Sequence, residues 1–286
     1  FSDFQVVEAR DGVEALELFA VNNIDLVISD IVMPNMDGVD FVSRLRESFP
    51  AVPILTISGG STGTDRASYI DVWRFGNGNI TFNNLTGLSN TTWNETVITG
   101  SGNDSIWTGN GRDYIMSGAG NDTINGSLTG TVDTADLDTM DAGPGEDWLS
   151  YQSLGTSVWV TLEGGSTSWQ TVTLGGSGSY IDYVKGFEHI LTDAGADRIW
   201  SGSGNSSILA GAGADFVSDL QGDNYIDVGK SWSGSNDGAV DTVVAGSGND
   251  TIYTGGGAYE SINAGDGNNL VDVSGSLSNG SSIYSG

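Results

Sequence analysis

The chain has 286 residues, 44 of them glycine, and sets 37 Asp and Glu against 9 Lys and Arg for a net charge of −28. So few bases cannot neutralise a phosphate backbone, which excludes nucleic-acid binding, and the absence of cysteine excludes disulfides and thiolate metal sites. No apolar run approaches the roughly 18 residues of a membrane-spanning helix. With no Met at position 1 and no signal-peptide pattern, the chain is expected to begin inside a longer gene product or after processing.

The composition is split. Residues 1–75 hold 12 acids, 5 bases and 5 glycines, for a charge of −7; residues 76–286 hold 25 acids, 4 bases and 39 glycines, for −21. In the first part, Phe4 to Ala9 reads as a short β-rich run, and Asp11-Gly12 opens an amphipathic helix with Val13, Leu16, Leu18 and Phe19 on its apolar face. Leu26 to Ser29 is a continuous apolar run, as expected of a parallel strand covered on both faces. After the turn cluster Met33 to Gly38, helical spacing returns through Phe41, Val42 and Leu45. Pro53 to Ser58 reads as a further strand, and Thr64 to Trp73 is expected to start another helix, giving half of a doubly wound α/β sheet.

The wording Val7-Glu8-Ala9-Arg10-Asp11-Gly12, followed by Asp25-Leu26-Val27-Ile28-Ser29-Asp30-Ile31-Val32-Met33-Pro34-Asn35-Met36-Asp37-Gly38, resembles the receiver domain of bacterial two-component response regulators. The resemblance implies a flavodoxin-like fold, Asp30 as phospho-acceptor and Ser58 as the hydroxyl residue that senses the phosphoryl group. It also implies a Mg²⁺ site, which in that family needs an acidic pair after the first strand, and a lysine after the fifth. Neither is present, since no lysine precedes Lys185, so the segment reads as a truncated, inactive receiver.

Beyond residue 90 a nine-residue period takes over. The pattern x-Gly-x-Gly-x-Asp-x-aliphatic-x has six full matches, centred on Asp104, Asp113, Asp122, Asp147, Asp215 and Asp250. Paired glycines such as Gly100 and Gly102, Gly109 and Gly111, Gly118 and Gly120, Gly211 and Gly213, and Gly246 and Gly248 permit positive φ and bring backbone close to a cation. The aspartate adds a hard carboxylate oxygen, and turn carbonyls supply more, which suits Ca²⁺. The aliphatic residue at the eighth position is expected to point inward from a three-residue strand, contributing about 1.5–3 kcal/mol each. So thin a core leaves part of the folding energy to the metal.

This region resembles the RTX, or hemolysin-type, calcium-binding nonapeptide repeat. The resemblance implies a right-handed parallel β-roll in which two nonapeptides make one coil, calcium lies between coils, and ligands come from residues 18 apart. Asp104 and Asp122 are so spaced, as are Asp197 and Asp215, with Glu95 and Asp113 in a partner row; Asp138 and Asp241 complete the candidate ligands. Ser206, Asn224, Asn269 and Ser281 stand at aspartate positions and are expected to bind weakly or not at all. A spacing slip between Asp250 and Glu260 is expected to break register, and the chain stops within repeat-like sequence without a polar cap.

The organisation expected is a receiver-like segment 1–75, a junction 76–89, a first repeat block 90–147, a strand-rich interlude 148–196 extending the parallel solenoid, and a second block 197–286. No catalytic constellation survives inspection: Gly59-Gly60-Ser61-Thr62-Gly63 fits a nucleophile elbow, but the chain's single histidine, His189, belongs to the distant interlude. Trp107 and Trp200 share the ninth repeat position, where a glycan platform would stand. The reading is therefore a non-enzymatic calcium-binding module of a secreted or extracellular bacterial protein, folding on Ca²⁺. The alternatives are a phosphorelay protein, whose receiver would place it in the cytoplasm, and an adhesin binding glycans or cell-surface ligands.

Overall fold

A computed structural model of the chain describes residues 6–30, 33–36, 38–49, 52, 54–58, 62–65, 72–83, 94–125, 137–152, 154–163, 167–175, 180–229, 238–255, 259–273 and 280–286. Two sheets, both almost wholly parallel, dominate it. The first has 14 described strands. In spatial order these begin with Val27–Asp30, Ile54–Ser58, Val72–Phe75, Thr96–Ile98, Tyr114–Met116, Thr139–Asp141 and Tyr180–Lys185. They continue with Gln170–Leu174, Val158–Thr161, Arg198–Ser201, Phe216–Gln221, Thr242–Ser247, Ser261–Asn263 and Ser282–Tyr284.

The second sheet has 10 described strands. Thr62–Asp65, Asn79–Asn83, Ser105–Trp107, Thr123–Asn125 and Trp148–Ser150 are followed by His189–Leu191, Ser207–Leu209, Tyr225–Asp227, Thr251–Thr254 and Leu270–Val273. From residue 96 to 150 the described strands alternate between the sheets, so two nonapeptides make one coil of a β-roll. Coils stack in register: Ile106 lies over Ile124, and Val97 over Ile115.

The eighth-position residues fill the space between the sheets. Ile106, Ile115, Ile124, Leu149, Ile199, Val217, Ile226 and Ile252 are all fully buried, as the short strands' in-out alternation dictates. The interlude departs from the expected parallel solenoid in one strand: Gln170–Leu174 runs antiparallel to both of its neighbours, inserted as part of a meander. The expected loss of register between Asp250 and Glu260 does not occur, since Thr242–Ser247 pairs directly with Ser261–Asn263. Tyr259, which precedes that strand, has φ +69°.

At the N-terminal end, helix α1 (Gly12–Phe19) starts at Asp11, whose Oδ1 accepts the N–H groups of Val13 and Glu14 at 3.0 and 2.9 Å. Helix α2 (Gly38–Ser48) buries Phe41, Val42 and Leu45 as its spacing requires. Four expectations are corrected here. Val13 is exposed rather than on the apolar face, and Val27–Asp30 is covered on one side only, with Ile28 63 % exposed. The helix expected from Thr64 to Trp73 is not found in its described residues: Thr62–Asp65 and Val72–Phe75 are strands, recruited by pairing with Asn79–Asn83 and Thr96–Ile98, and residues 66–71 lie outside the described residues. Residues 6–9 of the first β-rich run carry no strand, while residues 4 and 5, and residues 59–61 of the elbow-like motif, lie outside the described residues.

Candidate metal centres

Each aspartate row is a hydrogen-bonded ladder. In one row, Asp104 Oδ1 accepts the Ile80 N–H at 2.8 Å, Asp122 Oδ1 that of Asp104 at 2.8 Å, and Asp147 Oδ1 that of Asp122 at 2.7 Å. In the other, Asp113 accepts from Glu95 and Asp138 from Asp113, both at 2.8 Å. Asp197, Asp215 and Asp241 continue that row beyond the interlude, accepting from Val158, Asp197 and Asp215 at 2.7, 2.9 and 2.9 Å. Asp250 accepts from Asn224 at 3.0 Å. Every candidate aspartate therefore reaches back to the coil before it, and all are buried.

One oxygen of each carboxylate is thus used. In Asp104, Asp113, Asp122, Asp147, Asp197 and Asp250 the other oxygen, Oδ2, is buried without a hydrogen-bond partner. Neighbouring hydroxyls do not relieve this, because Ser117 donates to Ala142 O at 2.8 Å and Thr192 to Ala210 O at 2.7 Å. Burial pushes Asp147 up to about 7 and Asp197 to about 6, and it also raises Asp113, Asp122 and Asp250. A row of buried, half-satisfied carboxylates is costly unless a cation or a proton completes it.

The glycine turns bring backbone oxygens to the same place. Gly118 has φ +96° and Gly120 φ +132°, and a Cβ on either would fall on the carbonyl oxygen of Gly100 or Gly102 in the preceding coil. Gly109 and Gly111 share the positive φ. Gly211 and Gly213 pack against the carbonyls of Asp193 and Gly195, and Gly246 and Gly248 against those of Leu220 and Gly222. Among the described residues no three His, Cys, Asp or Glu side chains gather at one point. The oxygen donors these turns offer are paired carboxylates and carbonyls, a hard set of the kind Ca²⁺ prefers.

Where asparagine stands at the aspartate position, its side chain closes its own turn. Asn269 Nδ2 donates to Ala264 O and Gly265 O at 2.7 and 3.2 Å, and Asn224 Nδ2 to Gly222 O at 3.1 Å. An amide N–H then stands among carbonyls that an ion would otherwise bridge.

Three features escape the nonapeptide pattern. Asp182 Oδ1 accepts the Asp138 backbone N–H at 2.9 Å and its Oδ2 accepts the Tyr151 hydroxyl at 2.7 Å, so both oxygens of this buried carboxylate are satisfied. Glu188 extends the first row by accepting the Asp147 N–H at 2.8 Å. The fifth position carries a second ladder of opposite sense: Asn79, Asn103 and Asn121 accept N–H groups from Asn103, Asn121 and Glu146 of the following coils, at 2.9, 2.9 and 3.2 Å. The recurrence of Asn before Asp was the available signal for this last one; Asp182 and Glu188 lie in interlude sequence with no period to follow.

The receiver-like part builds a different site. Asp30 ends its strand, exposed, beside a cleft of about 390 Å³ that Asp11 also lines. Asp11 is committed, since its Oδ1 caps α1 and its Oδ2 accepts the Asn35 amide at 2.7 Å. Ser58 ends Ile54–Ser58, the strand paired with that of Asp30.

With this geometry in view, comparison with known families is decisive. Residues 94–124, 191–226 and 236–258 match the family described as RTX calcium-binding nonapeptide repeat (4 copies), and residues 2–74 match the response regulator receiver domain. The chain carries RTX repeats behind a receiver domain. Neither RTX repeats nor receivers are catalytic modules, and RTX repeats bind Ca²⁺. Among curated proteins, the chain is 37 % identical over 71 residues to Response regulator MprA of Mycobacterium sp. (strain KMS), covering 25 % of this chain and 31 % of that one. It is 35 % identical over 63 residues to Sensor histidine kinase RcsC of Escherichia coli (strain K12), covering 22 % of this chain and 7 % of that protein. The chain thus spans under a third of these relatives' lengths. No solved structure gives a significant match. Among the described residues no helix is long and apolar enough to cross a membrane.

Proposed function

We propose that this chain is a calcium-dependent β-roll module of a secreted bacterial protein, compact with Ca²⁺ and loosened without it, and that it is not an enzyme. The observation that carries this reading is the set of buried Oδ2 atoms of Asp104, Asp113, Asp122, Asp147, Asp197 and Asp250 that lack a hydrogen-bond partner. Asp104, Asp122 and Asp147 in one row, and Asp113, Asp138, Asp197, Asp215 and Asp241 in the other, would hold the ions between coils. Turn carbonyls complete the six to eight oxygens that Ca²⁺ takes. Ion binding offsets the repulsion within a segment of charge −21 and supplies folding energy that the thin core does not. Far-UV circular dichroism and terbium luminescence during a calcium titration test this directly. The β signal should rise with calcium and fall on adding EGTA; an unchanged signal overturns the proposal.

A second reading rests on the receiver match, with Asp30 as phospho-acceptor and Mg²⁺ as its ion. The geometry argues for an inactive segment, because the other acid in the Asp30 cleft is engaged in capping. Acetyl phosphate with Mg²⁺ should leave Asp30 unlabelled. An adhesive, glycan-binding role draws less support: Trp107 and Trp200 belong to different sheets and form no common row.

A further inference from the structure

Asp219 stands outside the aspartate rows. It occupies the first position of its nonapeptide, where other coils carry Thr99, Ser117 or Thr192, and it pairs directly with Ser201 before it and Ala245 after it. Its exposure is 0 %, yet its Oδ1 has only a long contact from the Gln221 N–H, 3.4 Å, and its Oδ2 has no partner. The hydroxyl oxygen of Ser201 lies buried beside it, also without a partner.

The placement coincides with a defect in the ladder. Successive coils here read Ser206, Asn224 and Asp250 at the aspartate position, so two carboxylates are missing side by side. Asp219 lies near the end of the strand Phe216–Gln221, just before a turn that stacks on the turn leading to Asp250, where Gly246 and Gly248 lie against the carbonyls of Leu220 and Gly222. Its carboxylate has the Ser206 hydroxyl beside it and is opposed by the Asp250 charge. Asp250 presents the second unpartnered buried oxygen, its Oδ2. Two buried acids on stacked turns, reached by no described ion pair, are costly unless a cation or a proton completes them.

We infer that Asp219 replaces the carboxylates lost at Ser206 and Asn224 and, together with Asp250, holds a divalent cation in a part of the roll that the repeat pattern would leave empty. The Ser201 and Ser206 hydroxyls and the turn carbonyls add neutral oxygens, keeping the donor set hard. This inference rests on the calcium-binding reading and extends it to a residue the nonapeptide pattern does not mark.

Counting calcium bound per full-length chain by equilibrium dialysis tests it, with far-UV circular dichroism at saturating calcium as the check on folding. Asp219→Asn should bind one ion fewer than the unaltered chain, Asp250→Asn should also lose one, and the double variant should still lose only one, because both residues serve the same ion. An unchanged count in Asp219→Asn overturns the inference and makes Asp219 a protonated buried acid; losses that add in the double variant overturn the pairing. Should Asp219→Asn not fold, Asp250→Asn carries the test, since an unchanged count there removes the site. An unaltered chain that binds no calcium defeats the calcium-binding reading itself, a different result from one that binds calcium indifferently to Asp219.

Discussion

Asp122 has two oxygens with two separate demands on them. One straps its coil to the one before through the Asp104 N–H, and the other is left in the interior without a partner. An asparagine keeps the first function and drops the charge, as Asn224 and Asn269 do in their own turns. Asp122→Asn should therefore raise the melting temperature in EGTA and lower it in calcium, each by about 1 kcal/mol or more of stability. A shift of the same sign in both conditions would contradict the division of labour. The raised carboxyls also fix a pH dependence. Folded values near 7 for Asp147 and Asp182, and near 6 for Asp197, lie above the ordinary 3.8, so the folded state binds protons more readily than the unfolded one. The calcium-free chain should gain stability as pH falls through 7 toward 4 and lose it as pH rises, and melting in EGTA from pH 8 to 5.5 checks the sign. Calcium binding at neutral pH should release protons.

At the level of the coil, the glycine turns are restricted for two separable reasons. Gly118 combines φ +96° with the Gly100 carbonyl where a Cβ would lie, whereas Gly204 has φ +126° and open space around it. Gly118→Ala should cost about 1–3 kcal/mol in the calcium-loaded state, and Gly204→Ala should cost less, having the backbone penalty alone. Thermal melts of the two variants side by side measure the difference. The coil is also where the sequence was most readable. A strict period of nine exposes the inward aliphatics, from Ile106 to Ile252, and the aspartates, because each recurs at a fixed distance from paired glycines. Asp182 and Glu188 join the same rows without that spacing, since the meander that carries them is placed by pairing with strands more than 40 residues away in sequence. The described ends of the segment from Thr64 to Trp73 are strands rather than helix for a related reason. Its local pattern continues an α/β alternation, but the nearest partners are strands of the roll, and tertiary pairing overrides local preference.

Across the whole molecule, one sheet runs from the receiver-like strands into the repeats: Ile54–Ser58 pairs with Val72–Phe75, which pairs with Thr96–Ile98. The compositional border near residue 76 is therefore not a break in the hydrogen-bonded ladder. The charge is distributed over this continuous body, −28 in total, and in the absence of calcium it opposes compaction throughout. Raising sodium chloride to about 0.5 M, where screening acts within a few ångströms, should raise the melting temperature markedly in EGTA and much less in calcium. Equal effects in both would mean that calcium does not neutralise the repulsion.

The paired ladders have a mechanical consequence. Asn103 reaches forward to the N–H of Asn121 while Asp122 reaches back to the N–H of Asp104, so neighbouring residues fasten one seam from both sides. Strands of three residues have little else to prevent them sliding past one another. A slip of one residue exchanges the two side chains, turning each toward the wrong coil, and both fastenings open together. The dipeptide thus acts as a latch with a parity, tolerant of insertions that leave the pair intact, as the coil of 25 residues between Asp122 and Asp147 does, and intolerant of a single step in alignment.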